Sequence, residues 1–166
     1  LKRVNRIASL GILPAMTLVI VVFSRFAGSD GPAPEPPRNG LLVVANLRTE
    51  SLTLANLESG EQRHLALPGP PHEMVATEGR LYVTLGRGEA LVEVELSSAA
   101  ILRVLPLEGE PHGIAVWGNN LIITLDKVNE AVVLDRASLT ELRRYPTGET
   151  PHVVAVSGEA VLVTDS

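Results

Sequence analysis

The sequence predicts an all-β protein built from four-stranded blades of the β-propeller type, preceded by one N-terminal transmembrane helix. Three observations support this prediction: a 40-residue internal repeat, four short apolar runs in each repeat, and no sustained helical period after Gly28. The 166 residues are 45% hydrophobic, and this length suits one domain with an additional segment. The sequence contains no cysteine, which excludes disulfide scaffolds, thiol nucleophiles and cysteine-ligated metal clusters.

The first segment, residues 1–27, has the composition of a membrane anchor. Residues 7–24 carry no charged side chain and follow the basic residues Lys2, Arg3 and Arg6. A run of this length can span a bilayer, and the preceding charges predict a cytoplasmic N-terminus. No suitably spaced pair of small residues follows the run, so an uncleaved anchor is favoured over a cleaved signal peptide. The remainder is then expected on the extracytoplasmic side, in the periplasm or at the cell surface.

A proline-rich spacer, residues 28–39, separates the anchor from the repeats at residues 40–166. It has no apolar periodicity, and its prolines favour a semi-extended chain. Four of the 14 basic residues lie in the first 25 positions, which leaves 10 basic against 19 acidic residues beyond them. A domain so acidic, in a chain with only 3% aromatic residues, is not expected to bind nucleic acid.

The repeat is marked by three Pro-His dipeptides, at residues 71–72, 111–112 and 151–152, each 40 residues from the next. Each dipeptide begins a unit of short runs rich in Val, Leu, Ile and Thr, separated by turn-forming residues. Alternating apolar and polar positions in these runs indicate β-strands rather than helices. The runs that follow or precede the dipeptide strands lie at 41–44, 51–56, 62–67, 81–84, 91–96, 101–105, 121–124, 131–135, 141–145 and 161–164.

Four strands in about 40 residues are typical of one β-propeller blade. The competing interpretation, a β-sandwich with coincidental spacing, does not account for three dipeptides in one frame. Thirteen strands are predicted, in about three blades, whereas a ring closes with roughly four to eight blades. We therefore expect the N-terminal part of a longer protein, whose first blade is completed by a strand from the C-terminal end.

Two of the strands match a known blade motif. Residues 82–84 read Tyr-Val-Thr, and residues 111–116 read Pro-His-Gly followed by a hydrophobic residue, Ala and Val. These features resemble the YVTN family of β-propellers, although the asparagine of its motif is replaced in every copy and the turn at residues 118–120 is short. The resemblance implies the fold; the family includes surface-layer proteins, periplasmic binding propellers, and lactonase-like and lyase-like enzymes.

Three histidines, His72, His112 and His152, occupy equivalent positions at the start of each innermost strand. One interpretation is a ring of imidazoles at the mouth of the central channel that binds a metal ion or acts as a general base. The alternative, favoured by the regularity of the repeat, is that each histidine caps a strand or packs against the next blade. A wide ring is expected to keep the nitrogens too far apart for one metal ion. Glu73 breaks the repeat, so Glu73 with His72 is the first candidate for a dedicated role.

The sequence thus predicts a membrane-anchored binding or scaffolding module that uses its propeller face for a protein or small-molecule ligand. The alternative is a lactonase-like or lyase-like enzyme with His and Glu acid–base residues at the channel mouth. No cofactor is predicted, and no nucleophile elbow, HExxH pattern or P-loop occurs in the sequence. His64 lies outside the repeat and is expected to be a solvent-exposed strand residue.

Overall fold

The computed structural model describes residues 40–165 together with the backbone of Val19 and Ile20. In this part of the chain the regular structure is β-strand, apart from one 3-10 turn at Asp126–Val128. Thirteen strands, β2 to β14, correspond to the thirteen that the repeat predicts, and Val19–Ile20 adds a short strand, β1. The prediction of an all-β chain is confirmed.

Consecutive strands form three four-stranded antiparallel sheets, blades 1 to 3, and a two-stranded sheet, the half-blade. Blade 1 contains β1 (Val19–Ile20), β2 (Leu41–Asn46), β3 (Ser51–Asn56) and β4 (Gln62–Ala66). Blade 2 contains β5 (Met74–Thr77), β6 (Arg80–Leu85), β7 (Ala90–Glu95) and β8 (Ala100–Pro106). Blade 3 contains β9 (Pro111–Trp117), β10 (Asn120–Leu125), β11 (Glu130–Asp135) and β12 (Glu141–Pro146). The half-blade contains β13 (Val154–Ser157) and β14 (Ala160–Val163).

Each blade is a meander because tight turns return the chain to the neighbouring strand. Gly79, Gly118 and Gly158 recur at the turn between the first and second strands, with φ of +77°, +60° and +59°. A side chain with a Cβ atom is strained in this left-handed region, so glycine suits all three positions. The glycines that punctuate the sequence therefore fix the hairpin that opens each repeat.

The core lies between the faces of adjacent blades. The second and third strands of blades 2 and 3 are covered on both faces, which explains why their sequences are nearly continuous apolar runs. At one repeat position Tyr82 and Ile122 are each 3% exposed, whereas Leu162 in β14 is 58% exposed. In the described part of the chain, other residues pack against both faces of β6 and β10 but against only one face of β14.

The predicted anchor is described only at Val19 and Ile20. These two residues form a strand rather than the predicted helix, and they pair with Val44 and Val43 on the inner edge of blade 1. This is the place that the sequence analysis assigned to a C-terminal strand. The rest of the anchor and the whole spacer lie outside the described residues. Within the described part of the chain, no helix has the length and hydrophobicity of a bilayer-spanning segment.

Candidate functional site

The three repeated histidines meet where the innermost strands converge. Strands β5, β9 and β13 contact one another in sequence, so the residues at their starts lie together. The ring centroids of His72 and His112 are 3.4 Å apart, those of His112 and His152 are 4.0 Å apart, and the outer pair is separated by 6.0 Å. We call these three residues the histidine stack. The blades do not hold the imidazoles apart, contrary to the expectation for a wide ring.

A buried threonine joins blade 2 to blade 3 directly beneath the stack. The Thr84 hydroxyl accepts a hydrogen bond from the Glu73 N–H at 3.0 Å and donates one to the His112 carbonyl at 2.7 Å. The Thr84 side chain is fully buried, so these bonds are protected from water. One hydroxyl therefore satisfies main-chain groups of two blades.

The same arrangement recurs 40 residues later. The Thr124 hydroxyl accepts from the Gly113 N–H at 2.7 Å and donates to the His152 carbonyl at 2.9 Å. In the half-blade, the Thr164 hydroxyl accepts from the Val153 N–H at 3.2 Å. The Val-Thr and Pro-His elements of the repeat are thus two sides of one blade junction.

The imidazoles themselves take no part in this junction. It uses the main-chain atoms of the histidines and of the residues that follow them. The Nδ1 atoms of His72 and His112 are buried and have no hydrogen-bond partner in the described structure. A buried polar atom without a partner costs about 1–3 kcal/mol, so these rings are not explained by the stability of the junction.

The environment keeps the inner imidazoles neutral. Burial, together with the neighbouring His112 and His152, lowers the pKa of His72 from 6.5 to about 4, against smaller opposing effects of Asp126 and Glu110. Burial also lowers the pKa of His112, with a further contribution from His152. Two close imidazoles cannot both be protonated without mutual repulsion. At neutral pH, His72 and His112 therefore offer uncharged ring nitrogens.

Glu73 differs from its repeat counterpart Gly113 for a geometric reason. A Cβ atom on Gly113 would lie 2.4 Å from the His152 carbonyl oxygen, so this position in blade 3 has no room for a side chain. In blade 2 the backbone accommodates Glu73, whose carboxylate accepts a hydrogen bond from the Ile114 N–H at 3.4 Å. Burial raises the pKa of Glu73. The structure thus places Glu73 across the junction beneath the stack, beside His72 in the chain.

Two further carboxylates lie near the stack, and neither was singled out as a site residue from the sequence. Asp126 acts electrostatically on both His72 and His112, and Glu110 acts on His72. The backbone holds the two together, because the Asp126 N–H donates to the Glu110 carbonyl at 3.1 Å. Their signal in the sequence is weak, since both belong to polar loops between strands.

The metal-binding interpretation requires several His, Asp or Glu side chains that converge on one ion. Within residues 40–165, no group of three such side chains is placed to hold a metal ion. His64 is on the exposed strand β4, where its Nδ1 atom hydrogen bonds with the Thr53 hydroxyl at 3.1 Å. The structure therefore brings His72, His112 and His152 together and leaves His64 apart.

A second feature absent from the sequence analysis is a cleft of about 610 Å³ between blades 2 and 3. On its wall, Glu93 is 4% exposed, forms an ion pair with Arg103, and lies 3.9 Å from the Arg80 guanidinium. Blades 1 and 3 have Thr53 and Val133 at this repeat position. Because guanidinium groups already engage the Glu93 carboxylate, we interpret the cluster as a contact between the strands of blade 2.

Comparisons with known proteins show the fold. No protein-family model matches the chain, and no curated protein sequence does. Among solved structures, Kuenenia stuttgartiensis hydrazine synthase matches with a TM-score of 0.66 and 16% identity, over 80% of this chain and 43% of that one. A streptogramin B lyase matches with a TM-score of 0.68 and 15% identity, over 76% and 45%. Saccharomyces cerevisiae Sqt1 matches with a TM-score of 0.68 and 11% identity, over 78% and 41%.

The chain covers less than half the length of each of these three structures. At identities below one-fifth, the similarity concerns the fold and not the activity. These neighbours are of the β-propeller type, and the antiparallel four-stranded sheets agree with them. The chain therefore has the fold of consecutive β-propeller blades.

Proposed function

We propose that this protein is a ligand-binding β-propeller whose binding site is the histidine stack. One observation carries the proposal: His112 is 9% exposed, packs between His72 and His152, and has a buried Nδ1 atom without a partner. The structure bears an energetic cost there that the blade junction does not require. A ligand that hydrogen bonds to the stack would offset part of that cost.

The recurrence of the histidine does not by itself argue for a structural role. The threonine of the junction bonds to the carbonyl of the histidine and to the N–H of the residue after a histidine, and any residue supplies that carbonyl. Stacking of neutral rings adds packing between blades but uses neither ring nitrogen. The choice of imidazole in three successive repeats therefore favours a shared surface for a ligand.

The rival proposal is an enzyme with acid–base residues at the same place. Glu73 favours it, because a carboxyl group with a raised pKa can donate a proton. His72 opposes it, because a base with a pKa of about 4 is weak near neutral pH. Binding is therefore the better-supported function of the two.

We further propose that the module is anchored in a membrane and faces the extracytoplasmic side, as a propeller of the YVTN type. The uncharged residues 7–24 and the basic residues before them support this proposal. The pairing of Val19 and Ile20 with Val44 and Val43 in blade 1 opposes it. Leu18→Arg should move the full-length protein from the membrane to the soluble fraction, whereas Thr17→Ser should not. Equal membrane retention of both variants contradicts the anchor.

The binding proposal is tested on the full-length protein labelled with ¹³C at the histidine rings. His→Asn variants assign the ring signals, and His64 serves as an internal control on β4. A fragment library is then titrated at pH 7.5. Saturable shifts of the His72, His112 and His152 signals without change at His64 support the proposal. A library whose bound members never perturb the stack refutes it.

A further inference from the structure

We propose that the ligand of the histidine stack carries a cationic nitrogen, as an amine, ammonium or guanidinium group. This inference rests on the proposed function and names the chemical class of the ligand. It follows from the charge and hydrogen-bonding character of the groups around the three rings.

Carboxylates around the stack supply hydrogen-bond acceptors. Glu73, Glu110 and Asp126 contribute three carboxylates to the electrostatics of the site. His72 and His112 lie beside them without a hydrogen bond from either ring to the described residues. A neutral imidazole accepts a hydrogen bond at one ring nitrogen, and a carboxylate accepts at both oxygens. A ligand that matches this surface must donate hydrogen bonds, and a protonated nitrogen does so with the complementary charge.

His112 is an observation independent of the carboxylates. It is about nine-tenths buried in the middle of the stack, and its Nδ1 atom has no partner. A solvent-facing acidic cluster would need no ligand, because water would satisfy it. A buried, unpartnered ring beside that cluster points to a bound group.

The backbone segments that carry Glu110 and Asp126 are hydrogen bonded to each other. The Asp126 N–H bonds to the Glu110 carbonyl at 3.1 Å, and the Lys127 N–H bonds to the Gly109 carbonyl at 3.0 Å. The 3-10 turn that contains Asp126 is therefore fixed against the loop that leads to His112. A preorganised pair of acceptors loses little entropy when a ligand binds.

Lys127 is in the same 3-10 turn as Asp126, and its positive charge does not complete the site. Its ammonium lies 3.7 Å from a Glu110 carboxylate oxygen, and its side chain is 64% exposed. Such an exposed ion pair contributes little and exchanges readily with water. Asp126 forms no ion pair within the described residues. An external cation can therefore bind at Asp126 without first breaking a strong internal contact.

The test uses three probes that share a phenyl group and differ in charge: 2-phenylethylamine, 2-phenylethanol and phenylacetate. Each is titrated into the full-length protein at pH 7.5, and the ring signals of the stack report binding. We expect the amine to bind about 10-fold more tightly than the alcohol, since one desolvated charge contact is worth about 1–2 kcal/mol. Phenylacetate should bind more weakly than the alcohol.

Asp126→Asn supplies the decisive variant and Asp135→Asn its matched control, since Asp135 lies at the other end of blade 3 and bonds to Ser138. Asp126→Asn should remove the advantage of the amine and leave alcohol binding unchanged, and Asp135→Asn should alter neither. Phenylacetate binding as tightly as the amine, or amine binding indifferent to Asp126, overturns this inference while the proposed function survives. No response of the stack to any of the three probes overturns this inference, and only a library that also leaves the stack unperturbed overturns the proposed function.

Discussion

The neutrality of the histidine stack predicts that acid destabilises the protein through His72. The pKa of His72 is lowered from 6.5 to about 4 by burial and by the neighbouring imidazoles. Between these pH values the unfolded chain binds more protons than the folded one, so the free energy of unfolding falls as the pH decreases. Above pH 6.5 both states are neutral at this residue, and its contribution is complete.

The size of the effect follows from the same shift. A pKa displaced by one pH unit changes the free energy of unfolding by about 1.4 kcal/mol. Without solvent screening, the lowered pKa of His72 would therefore contribute about 3 kcal/mol. His72 is partly exposed, and solvent screening reduces this to about 1–2 kcal/mol. Between pH 6.5 and 4, the free energy of unfolding of the wild-type protein should fall by this amount, about 1–2 kcal/mol, relative to a variant in which residue 72 does not titrate.

Urea unfolding of the full-length protein at a series of pH values measures this loss directly. His72→Asn should reduce the slope between pH 6.5 and 4, because asparagine remains neutral throughout, and the lowered pKa of His112 leaves part of the slope in place. His64→Asn is the matched control and should leave the wild-type slope unchanged, since His64 lies on an exposed strand. If His72→Asn retains the wild-type slope, the stack is not the source of the acid sensitivity and the electrostatic reasoning is wrong.

Three further predictions concern the blade junctions and the Glu93 ion pair within blade 2, all measured by urea unfolding at pH 7.5. Thr84→Val should cost about 2–3 kcal/mol, because it leaves a buried N–H and a buried carbonyl unpaired. Thr140 is exposed, so the control Thr140→Val should cost less than about 0.5 kcal/mol. Equal losses in the two variants contradict the role of Thr84 in the junction. Gly113→Ala should cost more than about 2 kcal/mol, because the new Cβ would meet main-chain atoms beside the half-blade. In the control Gly86→Ala, the new Cβ makes ordinary contacts, so the loss of stability should be smaller. The reverse order of the two losses would show that the blades separate easily. Glu93→Ala should cost about 1–3 kcal/mol by leaving the partly buried Arg103 guanidinium without its partner, and a neutral result refutes the ion pair.

The architecture could be derived from the sequence because it depends on local patterns. Strand alternation, turn glycines and the 40-residue interval are set by residues close in the chain, and β2 to β14 appear where these patterns place them. The first blade differs, because Val19–Ile20 takes the inner-edge position assigned to a distant strand. Pairing at a sheet edge depends on which segment reaches it, and periodicity carries no information on that.

The sequence predicted the candidate site only in part. The equivalence of His72, His112 and His152 follows from the repeat, but their contact does not, because it depends on how closely the innermost strands approach one another. The roles of Thr84 and Thr124 follow the same period. Their hydrogen bonds to the next blade depend on how adjacent blades pack, which the sequence does not indicate.

The sequence by itself determined the repeating unit, the thirteen strands β2 to β14 and the positions that could carry chemistry. Only the tertiary structure decided that the imidazoles stack, that two ring nitrogens are buried without partners, and that Asp126 and Glu110 lie beside them. The physical reason is the range of the forces involved. Turn and strand preferences act over a few residues, whereas desolvation and charge also act between groups that are distant in the chain and that only packing brings together.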